Sequence, residues 1–188
     1  MDHQRAPGCR EFHNCAVNSD QTILVIEDDP SDQFFVQEAL RMNGTTNPIQ
    51  LVGDGRQAVA YLKGEGEYAD RARFPYPMFI ITDLKMPIGA DGFMVLGYLK
   101  SHPELGGIPA VVLSASRDRD DIQKAYLLGA GCYLVKPGGF ADLRARLKVV
   151  CDYWMGCELP KLDPNGKRVV TSSVGKLAES FGRAKDFG

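Results

Sequence analysis

The chain has 188 residues, 44% of them hydrophobic and 24% charged, with 22 Lys and Arg against 24 Asp and Glu for a formal charge of −2. Those proportions fit one folded domain with extensions and exclude general disorder, collagen-like repeats and coiled coil. The balanced charge supplies no global positive field to attract nucleic acid or an anionic membrane surface. The longest apolar runs, such as Met78 to Ile81 and Ile108 to Leu113, are strand-sized, far short of the ~20 residues that span a bilayer. The N-terminal residues carry no continuous apolar stretch resembling a secretory signal. A cytoplasmic protein is expected, with no membrane and no nucleic-acid partner. Five cysteines, Cys9, Cys15, Cys132, Cys151 and Cys157, form neither a disulfide framework nor a C-x-x-C pair and read as reduced thiols. Cys9, His13 and Cys15 lack a fourth ligand and are not read as a metal site.

In chain order, residues 1–20 show no periodicity and read as a flexible arm. Thr22 to Ile26 is a near-continuous apolar run, the pattern of a strand buried on both faces of a parallel sheet. Asp29 before Pro30 marks a helix start, with Phe35, Val36, Ala39 and Leu40 at helical spacing up to Asn43-Gly44. Ile49 to Val52 is the second strand, and Asp54 caps a helix that turns Ala58, Val59 and Leu62 inward. A polar, Gly-containing loop runs from Gly64 to Pro77, and Met78 to Thr82 is the third strand. Helix three is expected from about Phe93 to Ser101 and strand four over Ile108 to Leu113. Helix four runs from about Arg119 to Leu128, strand five over Cys132 to Val135, and helix five from about Phe140 to Tyr153. Strands alternating with helices predict a doubly wound α/β fold with a parallel sheet covered on both faces, spanning residues 21–156. Residues 157–188 read as a tail, in which Val174, Leu177 and Phe181 give one face of a weak terminal helix.

In such a sheet the ligand site lies outside the carboxyl ends of the strands. The residues at those ends are Glu27-Asp28-Asp29, Gly53-Asp54, Asp83, Ser114 and Lys136. Each alone has an ordinary reading: Asp29 and Asp54 as helix caps, Lys136 as a solvated lysine. Their joint placement is the signal. Glu27, Asp28 and Asp83 gathered together repel one another unless a cation sits between them, and an all-oxygen set suits Mg²⁺. Lys136 and the Ser114 hydroxyl then face the equatorial oxygens of a phosphoryl group. Asp83, alone at the end of a central strand, is the candidate nucleophile, with Glu27 and Asp28 on the metal.

These residues resemble the receiver domains of two-component response regulators. The resemblance rests on Ile23-Leu24-Val25-Ile26-Glu27-Asp28-Asp29-Pro30, on Thr82-Asp83-Leu84-Lys85-Met86-Pro87 followed by Asp91-Gly92, on Ser114-Ala115, and on Tyr133-Leu134-Val135-Lys136-Pro137. It implies a flavodoxin-like sheet of strand order 2-1-3-4-5 and a phosphoryl group received by Asp83 from a histidine kinase. Mg²⁺ is implied on Asp28, Asp83 and the backbone carbonyl of Lys85, with Glu27 helping through water. Ser114, Ala115 and Tyr133 are implied as the switch, a cis peptide at Lys136-Pro137, and the face of helix four, strand five and helix five as a surface for dimerisation or partner binding. A phosphoryl dianion on Asp83 draws in the Ser114 hydroxyl and vacates space for the Tyr133 ring.

More narrowly, the chain is similar to single-domain regulators of phytochrome-type sensor kinases. Glu65-Gly66-Glu67-Tyr68, Asp83-Leu84 with Met86-Pro87, Leu128 to Tyr133, and Asp152-Tyr153-Trp154 carry that likeness. Tyr153 and Trp154 have two readings, packing on the domain or a dimer contact. The sequence departs from the family pattern at Ile88, Gly89 and Ala90, three residues where the pattern has two between the proline and Asp-Gly. The longer loop bears on magnesium affinity and phosphate lifetime. Gly138-Gly139 broadens the backbone after Lys136-Pro137. The expected function is a phosphorylation-operated switch that catalyses only its own phosphorylation and dephosphorylation. Two alternatives stand beside it: a phosphate-independent binding module of the same fold, and a Mg-dependent phosphohydrolase working through an aspartyl-phosphate. The second needs an acid two residues after the nucleophile, where this chain has Lys85.

Overall fold

The computed structural model describes residues 21–86 and 91–167. The expected N-terminal arm, the terminal helix around Val174, Leu177 and Phe181, and the lengthened Pro87–Ala90 loop lie outside the described residues. Five parallel strands, β1 (Ile23–Ile26), β2 (Ile49–Val52), β3 (Phe79–Thr82), β4 (Ala110–Ser114) and β5 (Cys132–Val135), form one sheet in the order β2-β1-β3-β4-β5. Five helices alternate with them: α1 (Pro30–Met42), α2 (Gly55–Lys63), α3 (Gly92–Ser101), α4 (Arg119–Leu127) and α5 (Phe140–Met155). This is the doubly wound parallel fold expected from the alternation.

Because successive strand residues point to opposite faces, the central strands feed two cores. Leu24, Ile26, Ile80 and Val112 face one side, where they meet Ala58, Tyr61 and Leu62 of α2, Val95, Leu96 and Leu99 of α3, and Ala125 of α4. Ile23, Val25, Phe79, Ile81, Val111 and Leu113 face the other, against Val36, Ala39 and Leu40 of α1 and Leu147, Val150 and Cys151 of α5. Fully burying one such side chain contributes about 1.5–3 kcal/mol, which is why β1, β3 and β4 are apolar at every position but Thr82 and Ser114.

Helix starts are set by short acids. Asp29 accepts from the Ser31 and Asp32 N–H groups, Asp54 from Gln57 N–H, Asp91 from Met94 N–H and Asp118 from Asp120 N–H, each satisfying donors that an isolated first turn leaves unpaired. α2 stops at Gly64, whose φ of 72° lies in the left-handed region that suits glycine.

Two segments carry more structure than their polar sequence suggests. The 64–77 loop contains a 3-10 turn over Gly66–Ala69 and buries Tyr68 and Phe74 against Tyr61 of α2, with Tyr68 and Phe74 ring centres 5.2 Å apart. Arg71 then folds back over the end of α2, donating to the Tyr61, Leu62 and Phe74 carbonyls at 2.6–3.2 Å and lying 4.1 Å from the centre of the Tyr76 ring. After α5, Leu162 packs on the first core and Leu159 on the second, while a tight turn over 163–167 closes through Gly166 N–H to the Asp163 carbonyl.

Candidate functional site

The ladder delivers the expected residues to one end of the sheet. Asp83 N–H donates to the Ile26 carbonyl, Glu27 N–H to Val52 and Lys136 N–H to Ser114, so the residues just past β1, β3 and β5 stand side by side. Ser114 is the last residue of β4, one position later than the expected strand end, and is fully buried.

Lys136 is the centre of the cluster. Its ammonium donates to Glu27 Oε2, Asp32 Oδ2 and Asp83 Oδ2, each at 2.7 Å. Glu27 and Asp83 are only 3% and 7% exposed, so these are desolvated charges that survive because each is paired. Burial opposes the charge on Lys136, and the bonds to Asp32, Asp83 and Glu27 outweigh it, holding the ammonium above the ordinary lysine range. Burial also pushes the Glu27 carboxyl up, against the pull of Lys136.

The other oxygen of Asp83 accepts from the backbone N–H groups of Leu84 and Lys85, which orients the carboxylate without a side chain. The Asp83 carbonyl is approached so closely by Gly92, the first residue of α3, that a Cβ there would overlap it and lie 2.9 Å from Thr82 Oγ1. The Asp91-Gly92 pair therefore combines a cap with the one residue small enough to lie against β3.

Asp28 is half-buried, and among the described residues its carboxylate has no hydrogen bond or ion pair. The described residues contain no group of three or more Asp, Glu, His or Cys disposed as metal ligands; Lys136 occupies the space between Glu27 and Asp83 instead. The donor chemistry nevertheless fits a hard divalent ion. Asp28, Glu27, Asp32 and Asp83 bring four formal negative charges against the single positive charge of Lys136, all the donors are oxygen, and the Asp28 carboxylate has no partner among the described residues.

Ser114, Ala115 and Tyr133, which the resemblance implies as a switch, lie on the opposite side of Asp83 from β1. Ser114 Oγ accepts from Ser116 N–H at 3.5 Å, Ala115 is exposed, and the Tyr133 hydroxyl donates to the Ser116 carbonyl at 3.0 Å. Burial raises the Tyr133 hydroxyl above its ordinary value. Lys85, exposed, sends its ammonium to Asp121 Oδ2 at 2.8 Å, and Asp121 also accepts from Ser116 Oγ at 2.6 Å. The Lys136–Pro137 peptide, implied by resemblance to be cis, is trans, since no peptide among the described residues is cis. Trans is the favoured X–Pro isomer by about 0.5–1 kcal/mol, and Lys136 reaches its three carboxylates from it. Trp154 packs inward against the second core and Gly131, as the packing reading of this residue expects, whereas Tyr153 is exposed.

Motif and strand-end position do not single out Asp32. It sits in the first turn of α1, three residues after the cap, where an acid ordinarily reads as a helix-dipole partner. Its contact with a lysine 104 residues away is visible only in the fold.

The family model for the response regulator receiver domain matches residues 23–148. The chain belongs to that family. Receiver domains are signalling switches that bind a divalent metal, and this receiver is homologous to phytochrome response regulators. It is 35% identical to "Response regulator Rcp1" of Synechocystis sp. over 138 residues, 73% of this chain and 91% of that protein. Among solved structures, the phosphorylated cyanobacterial phytochrome response regulator RcpA is 37% identical with a TM-score of 0.69, covering 76% of this receiver and 99% of RcpA. The Mn²⁺-bound form of Rcp1 is 35% identical with a TM-score of 0.67, covering 74% and 99% of the two chains. No helix among the described residues is long and apolar enough to cross a membrane.

Proposed function

We propose that this receiver accepts a phosphoryl group on Asp83 from a phytochrome-type histidine kinase and signals through an altered protein-contact surface in the cytoplasm. The observation that carries the reading is the placement of Asp83 with Glu27 and Lys136 at the carboxyl end of the sheet, one carboxylate oxygen held by backbone N–H groups and the other by an ammonium. Asp28, Asp83 and the Lys85 carbonyl would hold Mg²⁺, with Glu27 acting through water. When bound, the ion neutralises carboxylate charge and stabilises charge developing on the transferring phosphoryl group.

In the transfer, an Asp83 carboxylate oxygen forms the new P–O bond while the P–N bond of the donor phosphohistidine breaks and its electron pair returns to the imidazole. Asp83 needs no proton to act. Lys136 and the Ser114 hydroxyl supply donors to the phosphoryl oxygens, and Ser114 moving inward removes what Tyr133 packs beside, so the ring turns and releases Ser116. Hydrolysis reverses the gain: water attacks phosphorus, the P–O bond to Asp83 breaks and the carboxylate is restored. The exposed Tyr126 and Leu127 of α4 and Val149 and Tyr153 of α5 support a protein-binding or homodimer surface over α4, β5 and α5.

The test is acyl-phosphate formation with acetyl phosphate, followed by intact mass, in native chain and Asp83→Asn, with Mg²⁺ and with a chelator. An adduct only on the native chain and only with Mg²⁺ supports the proposal. No adduct on folded native chain, or an equal adduct on Asp83→Asn, overturns it.

A further inference from the structure

The ammonium of Lys136 has three protons to donate, and three carboxylate oxygens stand 2.7 Å from it, on Glu27, Asp32 and Asp83. Its donors are all in use before any phosphoryl group arrives. A phosphoryl group on Asp83 brings anionic oxygens that require a charged donor, and Lys136 can supply one only by releasing an acceptor it already holds.

The three acceptors differ in what release would leave behind. Glu27 is buried, with a side chain 4% exposed; losing the ammonium would strand its charge away from water. Asp83 becomes the acyl phosphate itself and stays beside Lys136. The Asp32 side chain is 41% exposed, so water replaces the ammonium there at the lowest cost. Asp32 also lies in the first turn of α1, where the helix N-terminus stabilises a carboxylate that has lost its cation.

We propose that Asp32 is the yielding acceptor of Lys136, a positioning residue that holds the ammonium across the site at rest and gives it up to the phosphoryl group. The inference rests on Asp83 being the phosphoacceptor. Asp32 and Lys136 both line the cleft of about 260 Å³ between α1 and α5, together with Phe35, Pro137 and Phe140. The exchange therefore leaves a carboxylate without its cation on that cleft, a second place where phosphorylation changes the surface.

The experiment measures, for native chain, Asp32→Asn and Asp32→Glu, the rate of adduct formation from acetyl phosphate with Mg²⁺ and the rate of adduct loss after donor removal, both by intact mass. Asparagine keeps the shape and weakens the hold on Lys136, so the ratio of formation to loss should rise about three- to tenfold. Glutamate keeps the charge and should restore the ratio to within about twofold of native. A helix-dipole role alone predicts a lower urea midpoint for Asp32→Asn with an unchanged ratio, and that result, or a fall in the ratio, overturns the inference. A variant-free measurement follows the side-chain carboxyl ¹³C resonances in the native chain. The Asp32 resonance should move on phosphorylation by more than that of Glu27, and the reverse order refutes the exchange. Absence of any adduct on the native chain is a different result, which removes the phosphoacceptor reading and this inference with it.

Discussion

Gly92→Ala separates a backbone effect from a packing effect at the place where α3 meets Asp83. Gly92 does not use left-handed backbone geometry, so alanine meets no conformational barrier there, and helix propensity alone would stabilise by about 0.5–1 kcal/mol. The added Cβ would overlap the Asp83 carbonyl oxygen, with the Asp83 carbonyl carbon at 3.0 Å and Thr82 Oγ1 at 2.9 Å. None of these atoms is the free end of a flexible side chain: the Asp83 carbonyl also accepts from the Thr82 hydroxyl at 2.8 Å, and Asp83 N–H is in the sheet ladder. Relaxed C···O contacts sit near about 3.3 Å, so β3 and α3 must separate by about 1 Å at this point. Overpacking of that kind costs about 1–3 kcal/mol, which after the propensity gain leaves a net loss of up to about 2.5 kcal/mol. The effect on chemistry is larger, because displacing a reacting group by about 1 Å costs on the order of 10²-fold in rate. Urea unfolding and the initial rate of acyl-phosphate formation measure the two effects. Gly97→Ala, in the same helix with nothing within 4 Å of its Cβ, serves as the control and should gain stability without losing rate. A Gly92→Ala chain as stable as native and phosphorylated at the native rate would refute the close-approach argument.

The raised Lys136 value has a definite pH signature. A lysine whose folded value lies above the unfolded 10.5 contributes stability in full below that pH and loses it as the pH climbs through the folded value. Urea midpoints of the native chain should therefore fall more steeply above about pH 10.5 than those of Lys136→Met, which shares every tyrosine but has no ammonium to lose; parallel slopes would contradict the three-carboxylate clamp. Arg71→Ala leaves the Tyr61, Leu62 and Phe74 carbonyls without a charged donor and should cost about 2–3 kcal/mol in urea. Its rate of phosphorylation should stay at the native value, because the loop packs far from the strand ends that carry Asp83; a comparable loss of rate would show that the loop supports the site.

What was legible in the sequence is what short-range physics decides. The runs over β1 and β3 end where the strands end, because a buried parallel strand tolerates few polar side chains. Asp29 and Asp54 announce α1 and α2 because a cap bonds N–H groups two or three residues away. The strand-end rule brought Glu27, Asp83, Ser114 and Lys136 to one edge, since parallel strands present all their carboxyl ends on the same side. The 64–77 loop escaped because its polar composition hides Tyr68 and Phe74, which earn their burial from Tyr61 on another element. Leu159 and Leu162 likewise show no periodicity and pack only because α5 delivers them to the two cores.

The sequence by itself determined the alternation of strands and helices and the set of residues at the strand ends, because both follow from periodicity, capping and the direction of a parallel strand. Tertiary structure alone decided that Asp32 shares the ammonium of Lys136, that Lys85 and Ser116 meet at Asp121, and that Gly92 lies against the Asp83 carbonyl. Each of these depends on where a distant element is brought within bonding distance, and chain spacing carries no record of that distance.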